Sequence, residues 1–137
     1  MAGAKPSVDL SPNVQRLASL PILTVVGTKR GDGAVQMNPV WFECHGGYFW
    51  LNSHTRRTWP KNVQRDGEAL LLLVDPAMPD RFAQIRCRLV ETIPDPKHEQ
   101  IDSLARRYTG QAFRALEPGE ERITLKLEPV KITGAEI

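Results

Sequence analysis

The sequence predicts a mostly-β domain: a largely antiparallel sheet or β-barrel carrying short helices. Three observations predict it. Strand-like runs outnumber helix-like ones, and the two do not alternate as they would around a parallel sheet. Two glycine turns, Arg30-Gly31-Asp32-Gly33 and His45-Gly46-Gly47, separate consecutive strand signals, which makes an antiparallel meander. The chain has 137 residues, the length of one ordinary domain, expected to span 1–137 with a flexible arm over residues 1–10.

The elements follow in order. Ser11 and Pro12 read as N-cap and first helical residue, with Val14, Leu17 and Ala18 on one face of a short helix ending before Pro21. Residues 22–28 are rich in β-branched side chains and read as a strand. Residues 34–44 resume an extended pattern, Val35, Met37 and Trp41 alternating with Gln36 and Asn38. Pro39 interrupts that run and marks a bulge or a sheet edge. Residues 48–52 form an aromatic-rich third strand. Thr58 is placed to cap a helix over 59–64, where Pro60 fits only the first turn, and Asp66-Gly67 ends it. The continuous apolar run 69–74 is expected to be a strand buried on both faces.

Residues 81–93 form a long strand with Phe82, Ile85 and Leu89 as its apolar contacts. Residues 97–108 give the clearest helix, with Ile101, Leu104, Ala105 and Tyr108 recurring every three or four positions and Gly110 past its end. Residues 111–121 read as a loop. Strict alternation returns at 122–128, with Ile123, Leu125 and Leu127 on one face, and residues 130–132 offer a continuation beyond Pro129. The expectation is about six strands and two or three short helices.

Composition narrows the function classes. Apolar content of 41% and charged content of 25% are those of a globular domain. A net charge of +2 is too small to argue for nucleic acid or a membrane surface as partner. No apolar run approaches the ~18 residues of a membrane span, and the first ten residues lack a signal-peptide pattern. The expected location is the cytoplasm. Cys44 and Cys87 are not paired as CxxC and are expected to stay reduced there. His45, His54 and His98 lack ligand spacing to each other or to either cysteine, so no metal site is expected. No nucleophile elbow, phosphate loop or dinucleotide fingerprint occurs. Glu120-Glu121 sits in a polar loop rather than an apolar setting, and no residue is nominated as catalytic.

One segment stands out, Asn52-Ser53-His54-Thr55-Arg56-Arg57-Thr58-Trp59-Pro60-Lys61-Asn62, between a strand end and a helix start. It gathers hydroxyls, amides and three cations beside helix N-terminal N–H groups, which together can cradle a phosphate. A solvated basic loop would have the same composition.

The order of these pieces resembles a known family. A strand, a Gly-turn, Gln36-Met37-Asn38-Pro39-Val40-Trp41-Phe42, a second Gly-turn and a strand ending at Asn52-Ser53 come first. The basic loop, Lys61-Asn62-Val63-Gln64-Arg65-Asp66, the apolar strand, Arg81-Phe82-Ala83-Gln84-Ile85-Arg86 and the helix around Ile101–Gly110 follow. This is similar to the pyridoxamine 5′-phosphate oxidase-like split β-barrel family, including its F420-dependent branch, over most of the chain.

The resemblance implies a homodimer with a cofactor at the subunit interface and a small-molecule substrate. The cofactor would be coenzyme F420, or alternatively FMN, used to move a hydride to or from an organic acceptor. A non-catalytic flavin or haem carrier is the other class. Carried over by position, Ser53, Arg57 and Lys61 would face phosphate. Gln36, Asn38, Pro39, Val40 and Trp41 would line the ring or ribityl chain, with Asn52, Arg56 and Asn62 completing the site. Trp59, followed by Pro60, stands where the family commonly has a lysine. That exchange removes one phosphate-binding cation, leaves Arg56, Arg57 or Lys61 to compensate, and offers either a stacking ring or a plug between helix and barrel.

Overall fold

The computed structural model describes residues 6–137, so residues 1–5 of the expected arm lie outside the described part. Its elements are α1 (Pro12–Ala18), β1 (Thr24–Lys29), β2 (Val35–Val40), β3 (Glu43–His45) and β4 (Tyr48–His54), then α2 (Thr58–Asp66), β5 (Glu68–Val74), β6 (Phe82–Pro94), α3 (Glu99–Thr109) and β7 (Arg122–Ala135). Seven strands form one sheet in the order β2-β1-β5-β6-β7-β4-β3, every neighbouring pair antiparallel.

The two edge strands are consecutive in sequence, and only Trp41-Phe42 separates them. Laid flat, the edges of seven strands would stand about 29 Å apart at about 4.8 Å per step. The link can reach only about 10 Å. The sheet must therefore curl until β2 and β3 come close, which makes an open barrel. The expected single run over 34–44 is divided by this link. Pro39 sits on the edge strand β2, where a missing N–H leaves no ladder bond unmade.

The barrel is filled from one face of each strand. Val26, Phe49, Leu51, Leu71, Leu73, Ile85, Leu125 and Leu127 are fully buried, with Phe42 from the link. Val14 and Leu17 of α1 and Trp59 and Val63 of α2 plug the same core. The β5 run is not buried on both faces as its apolar continuity implied. Ala69, Leu71 and Leu73 point inward while Leu70 and Val74 are 42% and 37% exposed. On β6 the inward residues are Ala83, Ile85 and Cys87, whereas Phe82 and Leu89 are only partly buried. The spacing 82, 85, 89 suits a helix, and a strand buries every second residue.

Local chemistry sets the helix ends. The Ser11 hydroxyl accepts from the Val14 N–H at 3.3 Å and caps α1. α2 begins with Thr58 as its first residue rather than its cap. Arg57 occupies the N-cap and has no acceptor to offer the first-turn amides. Gly67 closes α2 in the left-handed conformation at φ 73°. α3 is capped from outside, since the Asp95 carboxylate accepts from the N–H groups of Gln100 (3.2 Å) and Ile101 (3.0 Å). The last strand takes in the continuation expected over 130–132 and runs on to Ala135. Gly134 permits this, because a Cβ there would stand 2.2 Å from the Phe82 carbonyl oxygen.

The described part of the N-terminal arm is tied down. The Ser7 N–H donates to Glu128 at 3.1 Å, and Leu10 packs against the core. Both cysteines are free thiols, and burial pushes Cys44 up to about 11 and Cys87 higher still. Among the described residues no helix is long and apolar enough to cross a membrane, and no group of His, Cys, Asp and Glu side chains could hold a metal ion.

Candidate functional site

The open end of the barrel carries a cleft of about 410 Å³. Its apolar wall comes from Leu23, Pro39, Val40 and Trp41 at the β1 and β2 ends, with Ile101 and Leu104 of α3 and Phe113 of the following loop. The wall is braced by aromatic contacts. Trp41 stacks on Tyr108 with centroids 5.3 Å apart, and Phe113 meets Trp41 edge-on at 6.4 Å.

The other end is cationic. Arg57, Arg114 and Arg122 all line it. Arg57 stands at the start of α2, so the amides of Thr58 and Trp59 lack both an intrahelical carbonyl and a side-chain cap. Pro60 has no amide to add. Arg57 Nε faces His54 Nε2 at 3.2 Å and the Arg56 N–H faces Nδ1 at 3.3 Å, and a neutral imidazole accepts from one of the two. Burial, and then the positive charges of Arg57 and Arg122, hold the His54 pKa below its ordinary value.

Arg122 is buried, and the sequence alone did not single it out. Its Nε donates to Asn52 Oδ1 at 3.0 Å and its Nη1 to Glu120 Oε2 at 2.8 Å. Burial opposes its charge, and the Glu120 carboxylate supports it. The same carboxylate accepts from Arg114 Nη1 and Nη2 at 2.9 and 3.2 Å. The Arg114 bonds first, with the Glu117 amide and Arg122 helping, hold the Glu120 carboxyl down at about 2 against its desolvation. The Phe113 ring lies under both guanidinium groups, 4.7 Å from that of Arg114 and 5.0 Å from that of Arg122.

Seven residues singled out from the sequence line this cleft: Pro39, Val40, Trp41, Asn52, Ser53, Arg57 and Trp59. Asn52 serves a buried network as well. Its amide donates to Asp95 Oδ2 (3.1 Å) and Gln100 Oε1 (2.6 Å). Trp59 is 2% exposed and belongs to the core, with one edge on the cleft, which is the plug arrangement. Ser53 is 3% exposed, and its hydroxyl has no hydrogen-bond partner among the described residues. A buried hydroxyl left unpaired costs about 1–3 kcal/mol, and a polar ligand atom in the cleft would relieve it.

The other five lie elsewhere. Asn62 donates to Thr28 Oγ1 at 3.1 Å and to Gln36 Oε1 at 3.4 Å, and Gln36 donates to Asn38 Oδ1 at 3.2 Å. These three form a network that fixes α2 to β1 and β2, away from the cleft lining. Arg56 turns to the Gly119 carbonyl at 3.3 Å. Lys61 is exposed on α2 and lines no part of the cleft. Leu23, Ile101, Leu104, Phe113, Arg114 and Arg122 were missed. A charged residue opening an otherwise alternating apolar strand, as Arg122 does, was the one available signal.

A larger cavity, about 660 Å³, lies between the N-terminal arm and the β3–β4 turn, lined by Pro6, Leu10, Cys44 and Gly47 among others. It brings together neither the cationic cluster nor the aromatic wall.

No family model matches the chain, and no curated protein does. Solved structures do. An F420 reductase is similar with TM-score 0.83 and 22% identity, covering 90% of this chain and 98% of its own. The chain has the split β-barrel fold of the pyridoxamine 5′-phosphate oxidase type. Other split barrels share it. A conserved hypothetical protein from Mycobacterium tuberculosis matches with TM-score 0.72 and 19% identity over 96% of this chain and 87% of its own. A pyridoxamine 5′-phosphate oxidase-related, FMN-binding protein from Nostoc punctiforme matches with TM-score 0.60 and 14% identity over 90% and 83%. The likeness is one of fold, and the expected split barrel is the observed one.

Proposed function

We propose that the chain is a subunit of an oxidoreductase that holds a flavin-type cofactor in this cleft and passes a hydride between it and an organic acceptor. The observation that carries the reading is the division of one cleft into an aromatic wall and a cationic end, with the Ser53 hydroxyl left unpartnered. A planar ring suits the wall formed by Trp41 and Phe113, and a phosphate suits Arg57 and the open first turn of α2. Coenzyme F420 is preferred to FMN, because three arginines at one end can meet a phosphate together with an acidic tail. The names of the F420 reductase and the FMN-binding neighbour agree with a cofactor of this class.

When bound, such a cofactor supplies the hydride chemistry. The chain's part is to bind, orient and exclude water. Trp41 and Phe113 would fix the ring plane, Arg57 would draw the anionic end, and Trp59 closes the floor against solvent. Among the described residues no His, Asp, Glu, Lys or Cys lines the cleft, so none of its side chains is assigned a proton to move. The same observation favours a second reading, a carrier that binds the cofactor without turnover.

A homodimer completes the proposal. Val35 and Met37 of β2 are 69% and 70% exposed, and Leu70 and Val74 of β5 continue the apolar face. A second copy would cover it by a two-fold contact. The cleft wall residue Pro39 lies on the same side of β2 as Val35 and Met37, which puts the cleft at the margin of that seam. The two free thiols fit a reducing cytoplasm.

Titration of the purified protein with F420, followed by the quench of its fluorescence, and with FMN, followed by absorbance, tests the reading. Saturable binding of one of them is expected. Reduced F420 that binds and is never oxidised across a screen of organic acceptors would leave the carrier. Binding of neither, or of haem alone, would overturn the proposal.

A further inference from the structure

We infer that Arg122 recognises the ligand's anionic group in this cleft and that Asn52 and Glu120 position it. The assignment rests on the cofactor reading above and adds a recognition residue outside the basic loop.

A guanidinium has two faces and a fork of five donors. Those of Arg122 are largely taken by fixed groups. The Phe113 ring covers one face. Nε is held by Asn52, which is locked in turn by Asp95 and Gln100. Nη1 is held by Glu120. Nη2 makes no hydrogen bond among the described residues, although the side chain is only 7% exposed and lines the cleft. One edge of a rigidly held, desolvated fork thus opens on the cavity. That is the geometry in which Arg binds phosphate or carboxylate with most selectivity.

The neighbourhood supports the assignment. His54 is opposite Arg122 in the β4–β7 register and faces Arg57 Nε. Arg57 lies across His54 and adds a second cation for the same anion. Glu120 is the carboxylate that both Arg114 and Arg122 bind. Its charge orients Arg122 and also offsets the field an incoming anion would meet. Both its oxygens accept from guanidinium N–H groups, so Glu120→Gln would set an amide NH2 donor against one of them and loosen the hold on Arg122.

The test compares two ligands, F420 and the same deazaflavin ring with its phosphate-bearing tail removed, in wild type, Arg122→Lys and Glu120→Gln. The readout is the ratio of their affinities, which cancels any uniform effect of a damaged fold. Arg122→Lys keeps the charge and loses the fork. It should lower the preference for F420 by roughly ten- to a hundredfold, the scale of one charge-assisted hydrogen bond, with affinity for the truncated ring unchanged. Glu120→Gln should lower the preference several-fold by unseating the fork, and it carries the test if the lysine variant does not fold. An unchanged ratio in both variants, or an equal loss of both ligands, overturns the assignment of Arg122 and leaves the cofactor reading standing. A wild type that binds neither F420 nor FMN overturns the cofactor reading, and this assignment falls with it.

Discussion

Trp41 lies face to face with Tyr108, ring centroids 5.3 Å apart and planes 13° from parallel. The contact joins the two-residue link between the sheet's edge strands to the last turns of α3. The Tyr108 hydroxyl reinforces it by donating to the Ile22 carbonyl at 2.6 Å and accepting from the Phe42 N–H at 3.2 Å. One side chain thus ties the segment leading into β1, the link and α3 into the wall of the cleft.

Tyr108→Phe keeps the stack and removes both bonds, leaving the Ile22 carbonyl and the Phe42 amide unpaired. A loss of about 1–3 kcal/mol of stability is expected, read from the denaturant midpoint. An unchanged midpoint would show that the hydroxyl does not hold the wall.

Trp59→Lys would restore the cation common in the related family, yet the structure argues against a gain. Trp59 is buried in the same core cluster as Val63 and Phe42. Removing so large a side chain costs about 3–5 kcal/mol, and a buried ammonium adds to that. Thermal melts should show a steep loss for both Trp59→Lys and Trp59→Ala. A lysine variant that melts like wild type and binds F420 more tightly would contradict the plug.

Arg57 and Lys61 are separated by the structure. Arg57 lines the cleft and Lys61 does not. Arg57→Ala is expected to weaken cofactor affinity by about 1–3 kcal/mol, while Lys61→Ala should leave it unchanged. Fluorescence titration of the two variants side by side checks this, and equal losses would return Lys61 to the site.

These contrasts show what the sequence made legible. Strand positions followed from alternation and turn chemistry, and the basic loop was found because its cations are adjacent in the chain. Asn62 and Gln36 fall outside the cleft lining because an amide that ties α2 to β1 and β2 looks, in sequence, like an amide that lines a cavity. Arg122 escaped notice because pairing of β7 with β4 brings it beside His54 from far along the chain, and Phe113 because it reaches the cleft from the loop after α3. The β5 run was expected to be buried on both faces. Its outward leucine and valine instead extend the exposed apolar face, whose partner is a second chain in the proposal.

The His54 contact gives a pH dependence. Its folded pKa lies below the unfolded value, so below about 6.5 the unfolded chain binds more protons than the folded one. Stability contributed by neutral His54 is present above that value and is lost as pH falls toward the folded pKa. A protonated ring cannot accept from Arg57, so F420 affinity should change over the same window. His54→Gln keeps an acceptor and should flatten the response between pH 7 and 5. A profile identical to wild type would remove His54 from the account.

The exposed face of β2 and β5 predicts association. Sedimentation of the wild type should give twice the chain mass, and Met37→Asp, which puts a charge at its centre, should shift the protein toward monomer. If Met37→Asp stays a dimer, the seam lies elsewhere on the molecule.

Amide hydrogen exchange with and without F420 tests the central claim most directly, since it reports where the ligand sits. Protection is expected at Thr58 and Trp59, the first-turn α2 amides with no side-chain cap, and through the 113–122 segment that carries Phe113, Arg114 and Arg122. Protection confined to the arm cavity around Leu10 and Cys44, with 58–59 and 113–122 exchanging as in the free protein, would contradict it.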